Sequence, residues 1–213
     1  MASKKNPGEE FTGRVGDTVT YYLGDILVKR IIGESNQPNS ASQQAFYKLS
    51  REVNSVLQPV KDFIGLGYAL DVKGTRRNTM NSAYANIFKN AIKGKSPDRE
   101  IDFTKVLFSK GAMEHAPELA VKAIEGGLEF SWSKDVTTEM RWDDTVMLMA
   151  YIPSLNSAQY ILGGARRAAG KDVLPIVEIQ DGTLIHTYIT FVSADQKNIT
   201  NSTYTGTIMW NDK

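Results

Sequence analysis

Apolar and polar positions alternate with different periods along the chain, and each period predicts a kind of element. The clearest stretch runs from Gly126 to Ile152. Leu128, Phe130 and Trp132 alternate with Glu129, Ser131 and Ser133, which puts large apolar side chains on one face of a strand. After a polar break, Asp144 to Ile152 is apolar almost throughout, as in a strand buried on both faces. Near the N-terminus, Val15, Val19 and Tyr21 face Ile26, Val28 and Ile31 across Gly24-Asp25, which predicts a β-hairpin over Gly13–Ile32.

From Asn39 the period lengthens. Ser40-Ala41-Ser42-Gln43 fits a capping box, and Phe46, Leu49, Val53, Val56, Leu57 and Val60 fall at helical spacing behind it. Pro59 predicts a kink or stop, with Gly65 and Gly67 closing the segment; Phe63, Ile64, Leu66 and Tyr68 then return towards a sheet. Asn78 or Thr79 caps a second helix with the stripe Ala83, Tyr84, Ile87, Phe88, Ala91 and Ile92, ended by Gly94 and Pro97.

Beyond Ile101 the chain reads as β. Strands are expected over 101–108, 118–125, 128–133, 144–152, 159–162, 172–179, 184–193 and 203–210, with Gly126-Gly127 and Asp181-Gly182 as turns. Residues 118–125 also carry helix-favouring Ala and Glu, but the alternation of Leu119, Val121 and Ala123 decides for strand. The fold class is therefore α+β: an N-terminal β-hairpin and two helices, then an antiparallel β-sandwich. The organisation is a polar arm at 1–12, a hairpin and helical region at 13–98, and a sandwich domain at 99–213. Trp132 on one strand and Tyr188 on a later one resemble immunoglobulin-like and fibronectin type III modules.

Composition narrows the function classes. The chain of 213 residues, with 41% hydrophobic and 23% charged residues, is ordinary for a globular protein. A net charge of +1 gives no global attraction to nucleic acid or anionic membranes. The charge is uneven: residues 1–100 carry 15 Lys/Arg against 10 Asp/Glu, and residues 101–213 carry 10 against 14. With no cysteine, disulfides, thiolate metal sites and cysteine nucleophiles are excluded. Neither a secretory h-region nor an apolar run long enough to span a bilayer is present, so synthesis in a cytoplasm and no membrane partner are expected.

Candidate chemistry is sparse. His115 lies in a polar turn and His186 on a strand, without a second His or Cys nearby, so both read as structural and no metal or cofactor is expected. Ser131 and Ser133 flank a core Trp and lack a nucleophile elbow, so no catalytic residue is assigned. Asp143-Asp144, with Glu139 nearby, is the densest carboxylate group and reads as a solvated loop. Gly163-Gly164-Ala165-Arg166-Arg167-Ala168-Ala169-Gly170 has glycines and arginines suited to an anion, but lacks the strand–loop–helix context of a phosphate loop. It reads as a flexible or edge-strand connection, with Arg166 and Arg167 the residues to test. Lys29, Arg30, Lys48, Arg51, Lys73, Arg76 and Arg77, with Tyr21 and Tyr22, make a modest nucleic-acid patch if they share a face.

Three stretches carry a resemblance: Gly13-Arg14-Val15-Gly16-Asp17 with Lys29-Arg30; Ile101-Asp102-Phe103-Thr104-Lys105-Val106 leading to Ser109-Lys110-Gly111; and Ser202-Thr203-Tyr204-Thr205-Gly206-Thr207-Ile208, with Phe130-Ser131-Trp132 between. Together they resemble an uncharacterised family, a domain of unknown function, found in Bacteroidota and their phages. The chain departs from that pattern at Asn39-Ser40-Ala41-Ser42-Gln43-Gln44, where the family tends to carry Thr-Pro before its Gln. The resemblance implies a fold and no catalytic residues. The expected function is a non-enzymatic structural or interaction protein, a subunit of a larger assembly such as a phage virion, with other protein subunits as partners. The alternatives are a nucleic-acid-binding module using the basic N-terminal half, with Arg76 and Arg77 as contacts, and a carbohydrate- or ligand-binding sandwich using Trp142 and Tyr160.

Overall fold

The structure is a computed structural model and describes residues 12–33, 38–135 and 140–211. Residues 1–11 of the expected polar arm, and Glu139, lie outside the described residues. The chain divides into two compact units, residues 1–40 and 41–213.

In the first unit, strands β1 (Gly13–Val15), β2 (Thr18–Leu23) and β3 (Ile26–Ile31) form an antiparallel sheet in the order β1-β2-β3. The expected hairpin is its β2–β3 half, with Leu23 opposite Ile26 across the Gly24-Asp25 turn. Gly24 has φ +63°, which a glycine adopts without strain. Because side chains alternate, Val19, Tyr21, Leu23, Ile26 and Val28 share one face, and Val15, Tyr22, Leu27 and Ile31 share the other.

The second unit opens with α1 (Ala41–Leu57), whose stripe Leu49, Val53, Val56 and Leu57 is buried. Pro59 converts the next turn to a 3-10 turn at Gln58–Val60, and the chain resumes as α2 (Lys61–Gly67) and the single turn α3 (Ala69–Val72). Gly67, the last residue of α2, has no room for a side chain: a Cβ there would meet the Phe108 carbonyl oxygen. The helix α4 (Thr79–Asn90) starts where the Asn78 side chain accepts the Asn81 amide at 2.7 Å, as expected of its cap.

Residues 101–108 are not the continuous strand expected. The two-residue strands β4 (Ile92–Lys93) and β5 (Glu100–Ile101) pair, and a 3-10 turn at Phe103–Lys105 follows. Asp102 caps that turn by accepting from the Thr104 amide and hydroxyl, a local bond that competes with extended pairing. Phe103 and Phe108 still face the core, which is why the alternation looked like a strand.

The remaining chain builds two antiparallel sheets. The strands β6 (Ala120–Ile124), β7 (Gly127–Ser131) and β10 (Lys171–Pro175) pair in the order β10-β7-β6. The strands β8 (Thr145–Ile152), β9 (Ser157–Ile161), β11 (Thr183–Val192) and β12 (Thr203–Trp210) pair in the order β12-β11-β8-β9. Within 118–125 strand is therefore the outcome over Ala120–Ile124, and its turn is Glu125-Gly126, with Gly127 already paired.

The four-stranded sheet is the middle of three layers. From β8, Val146, Leu148, Ala150 and Ile152 enter the core shared with β7 and β10, while Met147, Met149 and Tyr151 enter the core shared with the helices. That double burial explains the uninterrupted apolar run. In β12, a bulge between the Gly206 and Tyr204 pairings shifts the alternation. Ile208 and Trp210 consequently face the three-stranded sheet while Tyr204 turns to the helical side.

Candidate functional site

At one end of the sandwich, the segment leading into β8 meets the segment between β9 and β10. The two pieces singled out in the sequence, Asp143-Asp144 and Gly163–Gly170, are brought together there. Their backbones run antiparallel: the Arg167 amide donates to Asp144 O at 2.7 Å, Val146 to Ala165 O at 3.0 Å, and Ala168 to Trp142 O at 3.1 Å. Gly164 permits this approach, since a Cβ there would meet Asp172 Oδ2 at 2.3 Å. Asp172 Oδ2 instead accepts the Ala165 amide at 2.7 Å.

The ladder sorts its charged side chains. Asp144 and Arg167 turn inward, with side-chain exposures of 1% and 0%, and pair at 3.1 Å through Nε and Oδ2. This corrects the reading of Asp144 as a solvated loop residue; of the two readings of Gly163–Gly170, a flexible or an edge-strand connection, the ladder matches the edge-strand one. Asp144 has the parity of Val146, Leu148, Ala150 and Ile152, so it points into the same core. The Arg167 guanidinium lies 4.1 Å from the centre of the Phe191 ring and donates to the Glu114 carbonyl at 3.3 Å. Burial lowers its pKa, and the Asp144 charge opposes that loss. Trp132 completes the anchor: its Nε1 donates to the Arg167 carbonyl at 2.7 Å, and its ring meets Phe191 edge-on at 5.4 Å. Arg167 is thus committed inside the protein and presents nothing to an external anion.

Arg166 points outward. It is paired with Thr145 across the ladder, and its guanidinium lies 5.4 Å from the centre of the Trp142 ring. Trp142 is 58% exposed. The two side chains, with Thr145, Gly163, Leu66 and Gln196, border an open cavity of about 350 Å³. Among the described residues the other charge lining the cavity, Asp143, is paired with Arg141 at 3.1 Å, and Lys197 pairs with Asp195 at 3.5 Å in the neighbouring loop. The Asp195 carboxyl is held below its usual range by the Ser193 hydroxyl and by Lys197. Among the described residues no carboxylate forms an ion pair with Arg166.

The other sequence candidates lie elsewhere. Arg76 and Arg77 are exposed in the turn between α3 and α4. Arg77 lies near Asp71, which is ion-paired to Lys110 at 2.6 Å and hydrogen-bonded to Ser82. Burial pushes the Asp71 carboxyl up, but Lys110, Ser82 and Arg77 together outweigh it and hold the carboxyl below its usual value. Tyr160 packs edge-on to Phe63 at 6.0 Å and bonds Asp62, so it does not join Trp142 at the cavity. His115 is exposed; His186 stacks on Phe103 at 4.5 Å and its Nδ1 is hydrogen-bonded to the Tyr204 hydroxyl at 3.0 Å. Burial lowers the His186 pKa. No group of three or more His, Cys, Asp or Glu suited to a metal occurs among the described residues. No helix among them is long and apolar enough to cross a membrane.

A family model described as a family of unknown function (DUF6266) aligns with residues 11–206. No curated protein and no solved structure matches the chain.

Proposed function

The chain belongs to this family of unknown function, and on that premise we propose that it is a non-enzymatic interaction protein, a subunit that assembles with further copies of itself through its N-terminal sheet. The observation that carries this reading is the state of residues 12–33. None of them is buried, although Val15, Tyr21, Tyr22, Leu23, Ile26 and Ile31 are large and apolar. A small antiparallel sheet needs an apolar face covered to be stable, and an exposed apolar surface of this kind marks an interaction site.

A second copy fits the free edge of β3. Among the described residues β3 pairs with β2 alone. An unpaired strand rich in Ile, Leu and Val is a template for another strand. Antiparallel pairing about a two-fold centred on Val28 sets Val28 opposite its own copy, Leu27 opposite Lys29 and Ile26 opposite Arg30. Each pair then shares a face, and no like charges stand opposite each other. The two apolar faces thereby become continuous across the dimer. The motif resemblance to proteins of Bacteroidota and their phages supports a virion as the setting of the larger assembly.

Light scattering across a concentration series tests the reading. A species of twice the 23.6 kDa chain mass, or a larger multiple, is the expected result. A strict monomer at high concentration contradicts it.

A further inference from the structure

We propose that the shelf formed by Trp142 and Arg166 binds an acidic sugar, with the pyranose ring lying on the indole and its carboxylate held by the guanidinium. The exposed indole offers a flat apolar surface of the kind that stacks on sugar rings, and its backbone is held in the ladder. The Trp142 carbonyl is fixed by the Ala168 amide, and Arg166 sits beside the buried Asp144–Arg167 pair. A site built on a locked ladder loses little freedom when a ligand arrives.

Charge selects the ligand class. Of the residues lining the cavity, Asp143 and Arg166 are the charged ones, and Asp143 is matched by Arg141, which leaves Arg166 as a lining cation with no carboxylate partner among the described residues. One unmatched cation suits a monoanion, and a guanidinium binds a single carboxylate in two-point geometry. The Asp143 carboxylate in the lining repels a doubly charged phosphate more than a monoanion, which argues against nucleotides. The Asp143 carboxylate, with Thr145 and Gln196, is a suitable partner for ring hydroxyls. The volume of about 350 Å³ is at the small end of ligand sites, the scale of one or two sugar rings. The shelf belongs to the unit spanning 41–213, so the proposal stands independently of self-assembly through β3.

The test uses the full chain, an oligosaccharide containing glucuronic acid, its carboxyl-reduced counterpart, and adenosine monophosphate, with backbone NMR shifts as readout. The expected result is a saturable shift centred on Trp142 and Arg166 with the acidic oligosaccharide. The carboxyl-reduced form, and the variants Arg166→Gln and Trp142→Ala, should each bind at least about tenfold more weakly. Both side chains are exposed, so the variants should retain the wild-type thermal midpoint, which is checked in parallel. No shift with the acidic oligosaccharide overturns the proposal. Equal affinity for the carboxyl-reduced form overturns the role of Arg166, and preferential binding of adenosine monophosphate overturns the ligand class.

Discussion

Replacing Arg167 with Met removes the charge but keeps much of the side-chain volume against Phe191. The Asp144 carboxylate then stays fully buried with its ion-pair partner gone, retaining only the Arg141 amide on Oδ2 at 3.1 Å. Breaking a buried pair from one side costs about 3–5 kcal/mol, because the surviving charge has neither water nor a counterion. That is a large part of the ~5–15 kcal/mol that holds a typical domain together. In urea unfolding, with a slope of about 2 kcal/mol per molar, the midpoint should fall by roughly 2 M at unchanged slope. Converting both partners in Asp144→Leu/Arg167→Met should recover most of the loss, since an apolar pair of similar volume is often neutral or stabilising. Asp144 Oδ1 and Arg167 Nη1 have no hydrogen-bond partner among the described residues, so the native pair is incompletely satisfied there and the recovery should be substantial. A loss below about 1 kcal/mol for Arg167→Met, or a double variant no more stable than the single, would refute the reasoning.

Trp132→Ala should cost about 3–5 kcal/mol in the same assay, as expected for emptying a large buried aromatic site; a negligible loss would remove Trp132 from the inter-sheet core. Asn78→Ala should cost about 1 kcal/mol through loss of the α4 cap, while Asn78→Gly should cost only a few tenths. His186 gives a pH prediction. Burial lowers its pKa in the folded state, so below about pH 6.5 the unfolded chain takes up a proton that the folded chain does not. Its contribution is complete above that pH and declines as pH falls towards the depressed folded value. His186→Gln should flatten the stability profile between about pH 7 and pH 5; an unchanged slope would assign the effect to another group.

The long strands were legible because their side-chain period survives burial: β8, β11 and β12 lie where alternation and apolar content put them. Trp132 was legible as a core residue for the same reason. Residues 101–108 were not, because Asp102 hydrogen-bonds locally and breaks the extended path while the aromatic residues still reach the core. The Pro59 kink was visible, but the resumption of helix as α2 depends on burying Phe63 and Ile64 against the sheet. At the shelf, Asp144 and Arg167 are 23 positions apart, and nothing local says that they pair. One signal was present: Asp144 is in phase with Val146 and Leu148, which placed a carboxylate on a core-facing position and called for a buried cation. The inward Arg167 and outward Arg166 follow from the same alternation once the ladder is known, and the sequence alone did not supply that ladder.

Self-association through β3 is the central claim, and a charge-swap mixing experiment tests it most directly. Val28→Lys and Val28→Glu each set like charges opposite one another at the proposed two-fold, whereas a mixture sets Lys opposite Glu. Light scattering should show each variant alone at the 23.6 kDa chain mass and the equimolar mixture at twice that value. Wild-type mass for both separate variants, or a mixture that stays monomeric, would contradict the claim.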